Sequence, residues 1–404
     1  FPGYHAIEDV AADGQVVTVT LSESFGAAAD SLFPFVLPGH LLEAQAGQIN
    51  AALWASPIGC GPYRLERWED GVRWQLRRAD SPARAQASIE RLDVVFTDDA
   101  DAMAIVAKAE VPTLWAYVDG KDAFAVRRDG IGTVVDSPTG RWWGLLFNTS
   151  DSPFADPLVR KALIAAYPTD VISASVLTTA ATPFTGRIFA ASKPPTSPVT
   201  ADPEVAKAAL ARAGWRDTNG DGVLDKDGEP LQVVLELTSR DGSDEALKEE
   251  IDAVLEAWRR VGVATRYKYN SIRMYGSWLR GGRIATEPFG VVFGAFPGTP
   301  DPGWGSVFDA SDKPSMARPW GIGVAGGADG AEMTQLHREA STEPDARVRA
   351  SIGSSIQAQA VEQSLILPER PQVRSTVVNG ISGYRPGAYP AGDFWNVAEW
   401  SVPE

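Results

Sequence analysis

The sequence predicts an α/β protein of more than one domain, and three observations carry that expectation. Stretches with strand alternation and stretches with helical spacing follow one another along the chain. The 404 residues exceed one ordinary domain, and 44% of them are hydrophobic, enough for sizeable cores. No stretch reads as a repeat or a low-complexity tract, and no apolar run approaches the roughly 18 residues that span a bilayer.

The elements follow in order. Residues 15–21, QVVTVTL, alternate apolar and polar positions and predict a strand. RLERWEDGVRWQLRRA (64–79) predicts a hairpin, because two patterned runs flank Asp70-Gly71. RLDVVFTDDADAMAIVAKAEV (91–111) reads as a strand and then a helix capped by Asp98 or Asp99. GRWWGLLFN (140–148) predicts a buried strand, and DPLVRKALIAAY (156–167) a helix with Pro157 at its start. Asp202-Pro203 opens the next helix, which Gly214 stops. LQVVLELTS (231–239) and VATRYKYN (263–270) are strands. Between them, residues 243–262 place Leu247, Ile251, Val254, Leu255 and Trp258 at helical spacing. Residues 331–363 predict two helices split at Pro344, and the tail is rich in loops and aromatics. SKPPTSPVTADP (192–203) is the best candidate for an interdomain connection.

Charge narrows the partners. Lys and Arg number 37 against 52 Asp and Glu, a formal net charge of −15, which disfavours nucleic acid and anionic membrane surfaces. The opening FPGYHAIEDV has no charged n-region or apolar core, so any export signal is expected to have been removed or to lie outside this piece. The single cysteine forms no internal disulfide and does not decide the compartment.

Three features invite a chemical reading. Cys60 sits between two glycines in SPIGCGPYRLERW (56–68), a setting in which a turn can present a nucleophile. A thiolate needs a base, and only His5, His40 and His337 are present. Gly61-Pro62 reads as a bend, so a buried small apolar role is favoured over catalysis. The second feature is DTNGDGVLDKDGE (217–229). Asp217, Asn219 and Asp221 occupy alternate positions before Gly222, with Val223 and Asp225 next in the alternation, as at the opening of a calcium loop. Gly228 stands where the bidentate Glu belongs, and Glu229 comes one residue late. A structural calcium site and an acidic turn held by its own hydrogen bonds both remain open. The third is Trp142-Trp143, which strand alternation sends to opposite faces, so that at most one lines a cleft.

Taken together the pieces resemble family 5 extracellular solute-binding proteins, the peptide and nickel receptors of ABC importers. GCGPYRL is similar to that family's G-x-G-P-Y-x-L hairpin, with Cys60 where a small residue such as Thr is usual. LLFNTSDSPFADPLVRKALIAA resembles its F-N-T…P-F…D-x-x-V-R-x-A-L signature. FPFVLPGHLLE, AGWRDTNGDGVLDKDGEPL, AWRRVGV, PDPG and the closing GYRPGAYPAGDFWNVAEW follow in family order. Three departures stand out. A long N-terminal portion usual in the family has no counterpart, and Ala109-Glu110-Val111-Pro112 replaces the usual G-E-V-D. In addition, no acid precedes Asp301 among Pro297, Gly298, Thr299 and Pro300, where peptide binders meet the ligand's amine.

The resemblance implies a two-lobed periplasmic-binding-protein-like (type II) α/β fold with a hinge and a cleft, its N-terminal part missing. The first lobe is expected over 1–173 with a return at 377–404, and the second over 174–376. The implied role is the extracytoplasmic binding component of an ABC transporter, lipid-anchored or periplasmic in the longer protein. It would be monomeric and non-enzymatic, with no required cofactor beyond the candidate calcium, and it would deliver a peptide-like or other small solute to a permease. Trp143, Phe147, Asn148, Arg240, Phe296, Asp301 and Trp304 are the expected ligand contacts. A sensor or chaperone on the same fold, or a Cys60 hydrolase, are the alternatives.

Overall fold

The structure, a computed structural model, describes residues 3–33, 37–42, 58–80, 87–108, 110–118, 120–149, 153–176, 200–239, 245–271, 290–297, 301, 328–387 and 392–403. The chain divides into two compact units. The first holds Phe1–Phe33, Gly140–Leu177 and Ala181–Gln372, and the second Pro34–Thr139, Thr178–Ala180 and Val373–Glu404. The boundary near 173 expected from the sequence thus differs from the observed crossing at 139/140, which falls inside a strand where no change of composition marks it. The return at 372/373 lies near the expected 376/377. Residues 192–199 of the expected connection lie outside the described residues.

In the first unit, β1 (Ile7–Asp13) and β2 (Val16–Leu21) form an antiparallel hairpin. The first strands of the second unit are β3 (Tyr63–Glu69), β4 (Arg73–Arg78) and β5 (Arg91–Val95), paired antiparallel in that order. The β3–β4 turn takes Gly71 to φ 68°, the left-handed backbone that its Asp-Gly pair signals. Next come α1 (Asp99–Lys108), β6 (Thr113–Val118), α2 (Gly120–Asp129) and β7 (Thr133–Phe147), which carries the chain into the first unit. The Asp98 carboxylate accepts from the Asp101 N–H at 2.9 Å and so caps α1.

The first unit continues with α3 (Pro157–Ala165), α4 (Thr169–Val176) and α5 (Pro203–Arg212). A short pair, β8 (Asp225–Lys226) and β9 (Glu229–Pro230), precedes β10 (Gln232–Ser239), α6 (Glu245–Arg259), β11 (Ala264–Ser271) and β12 (Val291–Pro297). Last come α7 (Ala328–Thr342), α8 (Ala346–Glu362) and β13 (Ile366–Asn379), which returns the chain to the second unit. The caps are the predicted ones. Asp156 accepts from the Leu158 N–H at 2.8 Å ahead of α3, and Asp202 accepts from Glu204 and Val205 ahead of α5. Gly214 ends α5 with φ 91°.

The strands of this unit lie in the order β11-β10-β12-β7-β13. β10 runs parallel to both neighbours and β12 antiparallel to β7. One face of the sheet buries Leu145, Phe147, Val233, Leu235 and Leu237 against Val159 and Leu163 of α3, Leu210 of α5 and the apolar stripe of α6. Each such side chain contributes about 1.5–3 kcal/mol of transfer free energy. Trp258 of α6 is fully buried, and its indole N–H donates to Leu163 O at 2.9 Å, so the ring adds area without leaving a donor unmet.

In the second unit, the far half of β13 pairs with β6, and Val377, Trp115 and Val118 pack on Val106 of α1 and Ala123 and Val126 of α2. Beyond β13, the Tyr384 hydroxyl donates to Asp393 Oδ1 at 2.8 Å. Burial is the main cause that pushes this phenol up to about 12, with the Asp393 charge adding to it. A raised pKa means that the folded state holds the proton more tightly than the unfolded chain. Its contribution is therefore complete below the ordinary tyrosine value of about 10 and is lost as pH rises through about 12. Urea midpoints measured across that window should fall more steeply for the wild type than for Tyr384→Phe, and parallel curves would refute the assignment.

Candidate functional site

Open α/β sheets gather ligand sites beyond the carboxyl ends of their parallel strands, where loops leave and backbone groups are free to act. In the first unit those ends are Ser239 of β10, Ser271 of β11 and Pro297 of β12, and Arg141–Trp143 of antiparallel β7 lie opposite Ala295–Pro297. Register then sorts the aromatics. Trp142 is buried and sits 4.7 Å from Phe296, ring centre to ring centre. Trp143 points to the other face, stacks 5.8 Å from Phe293, and keeps part of its surface exposed. The expected split between the two tryptophans is present, and Trp143 is the one that stays accessible.

Above the Trp143 ring, at 5.8 Å, lies the Arg370 guanidinium. Its two terminal nitrogens fork onto Glu250 of α6 at 3.0 and 2.9 Å, and it also pairs with Glu369. Glu369 is fully buried and accepts a hydrogen bond from the Tyr167 hydroxyl. Burial, and after it the Glu250 charge, push the Tyr167 phenol well above its ordinary value, with Arg370 opposing. Two buried carboxylates therefore share one guanidinium beside an accessible indole. Sequence reasoning missed this cluster, although one signal existed: Glu250 interrupts the apolar stripe of α6 between Leu247 and Ile251.

The other expected contacts divide. Phe147 is fully buried in the core, 6.4 Å from Phe154, and Phe296 is fully buried against Trp142. Asn148 is buried, and its backbone N–H donates to Gly290 O at 2.9 Å. Asp301 is gripped by Arg349, whose Nε donates to both carboxylate oxygens at 3.0 and 2.8 Å and whose Nη2 lies 2.8 Å from Oδ2. Arg349 Nη1 donates to the carbonyls of Glu343 and Pro344, both at 2.9 Å, so the fork is anchored from behind. Arg240 and Trp304 lie outside the described residues.

Cys60 is exposed, which corrects the expected buried side chain, and no hydrogen bond joins it to a histidine among the described residues. Nor are its flanking glycines required by backbone conformation: neither has a left-handed φ, and an added Cβ on Gly61 would meet nothing within 4 Å. In the acidic loop the side chains bond to the loop itself. Asp217 accepts from Gly220 and Gly222 at 2.7 and 3.0 Å, and Asn219 from Asp221 at 2.9 Å. Asp221 accepts from the Val223 N–H at 2.8 Å, which holds its carboxyl below the usual range. Asp225 takes the N–H and hydroxyl of Thr218. Among the described residues, no group of three or more His, Cys, Asp or Glu could hold a metal ion.

The comparisons agree in direction. A family model described as "Bacterial extracellular solute-binding proteins, family 5 Middle" matches residues 3–304. The oligopeptide-binding protein AppA of Bacillus subtilis (strain 168) is 25% identical over 249 residues, 57% of this chain and 43% of AppA, so the match spans less than half of that relative. The solved structure of AppA from Bacillus subtilis with a nonapeptide aligns at a TM-score of 0.72 and 18% identity, over 100% of this chain and 79% of that one. NikA from Brucella suis with Fe(III)-EDTA aligns at 0.78 and 20% identity, over 99% and 80%. The α/β fold of periplasmic-binding-protein type expected from the sequence is the fold these structures share.

Proposed function

The chain belongs to the family 5 bacterial extracellular solute-binding proteins, and from that membership we propose that it is the extracytoplasmic receptor of an ABC importer, holding a small solute and passing it to a membrane permease. The family match carries this reading, and the cluster around Trp143 supports it. An accessible indole backed by a forked guanidinium is a surface for contact, and no covalent step is needed for capture and release. A peptide-like solute is one class that fits. Its free amine would need a carboxylate other than Asp301, which Arg349 already holds. No helix among the described residues is long and apolar enough to cross a membrane.

Native mass spectrometry of gently purified protein, before and after denaturation, tests the reading. A reproducible extra mass that vanishes on unfolding is expected. Trp143→Ala should weaken retention about tenfold when measured below the variant's own melting temperature, which will fall because the ring also packs against the buried core. Unchanged retention in that variant would move the site elsewhere. The acidic loop is read as a self-bonded turn, so excess Ca²⁺ added to EDTA-treated protein should leave the melting temperature where it was. A rise would assign calcium to Asp217, Asn219, Asp221, Val223 and Asp225 instead.

A further inference from the structure

Tyr117 occupies a costly backbone position and gains no burial from it. It lies on β6 in the second unit, where Val118 faces Ser375 and Trp115 faces Val377. Ala116 and Tyr117 thus stand opposite Thr376 alone, the two-against-one count of a β-bulge, a device that bends a strand and re-aims a side chain. Tyr117 adopts φ 63°, a left-handed backbone that a bulky L-residue seldom takes and that glycine takes freely. Its side chain gains no cover in return, since the residue is 68% exposed. Strain held at a solvent-facing aromatic points to what the ring meets and not to the fold.

The ring lies over a partly unsatisfied ion pair. The Arg374 guanidinium sits 5.2 Å from the ring centre, and its Nη2 donates to Asp393 Oδ1 at 2.9 Å. The same oxygen takes the Tyr384 hydroxyl at 2.8 Å. Arg374 Nε and Asp393 Oδ2 are both buried and have no hydrogen-bond partner among the described residues. Buried polar atoms are normally paired, so one N–H donor and one carboxylate acceptor left over in a single ion pair call for a group that offers the complement of each.

We propose that Arg374 and Asp393 form a carboxamide-binding site with Tyr117 as its displaceable cover. The amide oxygen accepts from Arg374 Nε, the amide N–H donates to Asp393 Oδ2, and Tyr117, released from its strained backbone, turns aside and flanks the planar group. A carboxylate would satisfy Arg374 and be repelled by Asp393, so the site selects amide over acid. The proposal rests on the reading of the chain as a solute receptor.

The test uses the whole protein labelled with 3-fluorotyrosine, with the Tyr117 resonance assigned by its absence in Tyr117→Phe. Acetamide should shift that resonance saturably, acetate at least tenfold less, and Arg374→Met should abolish the response. Tyr117→Gly should melt at or above the wild-type temperature, because glycine carries the same φ without strain. A resonance unmoved by either probe, a preference for acetate, or a lower melting temperature for Tyr117→Gly would each overturn the site. A solute retained in native mass spectrometry alongside an unmoved resonance would reject the site and keep the receptor. An acetamide shift in a protein that never retains a solute would do the reverse.

Discussion

Gly144→Ala is expected to unfold the first unit, or leave it marginal, in the absence of denaturant. Gly144 lies on β7, paired with Gly294 of β12 on one side and flanked by β13 on the other. A Cβ at this position would fall 1.9 Å from Leu367 O and 3.0 Å from Glu369 N, both backbone atoms of β13. A side chain in the way could rotate, but a strand held by its ladder cannot. β7 and β13 would have to separate by more than 1 Å, loosening bonds such as Phe147 N–H to Leu365 O, now 3.1 Å, and opening the core beneath Leu145 and Phe147. Several hydrogen bonds at about 1 kcal/mol each plus lost packing give roughly 4 kcal/mol or more. That is a large share of the 5–15 kcal/mol typical of a domain. Gly61→Ala is the control: with nothing within 4 Å it should change stability by no more than about 0.5 kcal/mol. Urea titrations of the two variants check the pair, and a Gly144→Ala midpoint equal to wild type would mean that the strands do not approach this closely.

Most elements were legible because their signals are local. Asp70-Gly71, Asp156-Pro157, Asp202-Pro203, Gly214 and Pro344 each act within a few residues, and each lies at an observed turn, cap or break. β13 was not legible. Pro368 and Pro371 fall inside it, and proline argues against a strand, yet both lie in the half of β13 that flanks β7, while β6 pairs only further on, from Ser375 to Asn379. β12 was hidden in a stretch that reads as a glycine- and proline-rich loop. The opposite faces of Trp142 and Trp143 followed from period-two alternation alone. The charged cluster above Trp143 did not, because Glu250 and Arg370 are 120 residues apart and Tyr167 and Glu369 are 202 apart. Pairing at such separations is set by tertiary packing, for which one sequence carries no periodicity. The bulge at Tyr117 was illegible for the same reason, since it exists only in the register of β6 on β13.

Arg160→Met is expected to be nearly as damaging as Gly144→Ala, and it separates two readings of the V-R-x-A-L signature. Arg160 is 5% exposed, and its hydrogen bonds are to carbonyls. Nη1 donates to Phe154 and Ala155 at 2.7 and 3.1 Å, Nη2 to Gln363 at 2.9 Å and Nε to Ser364 at 3.1 Å. One planar fork thus ties the turn ahead of α3 to the turn between α8 and β13. Burial lowers the guanidinium's pKa, with the Asp156 charge opposing, so the buried charge carries a desolvation cost that its four carbonyl partners offset. Methionine fills a similar volume but donates nothing, so four carbonyls lose this partner at once, at about 1–3 kcal/mol for each one left unmet. Water or other donors will meet some of them, and the net loss should be roughly 3–5 kcal/mol. Arg160→Lys, a point donor on a flexible stem, should lose about half as much. If the signature arginine is an anchor of the fold, Arg160→Lys will melt at a lower temperature and still retain solute as the wild type does below its melting point. If retention falls while the melting temperature holds, Arg160 is a ligand contact, and the cluster at Trp143 is not the whole site.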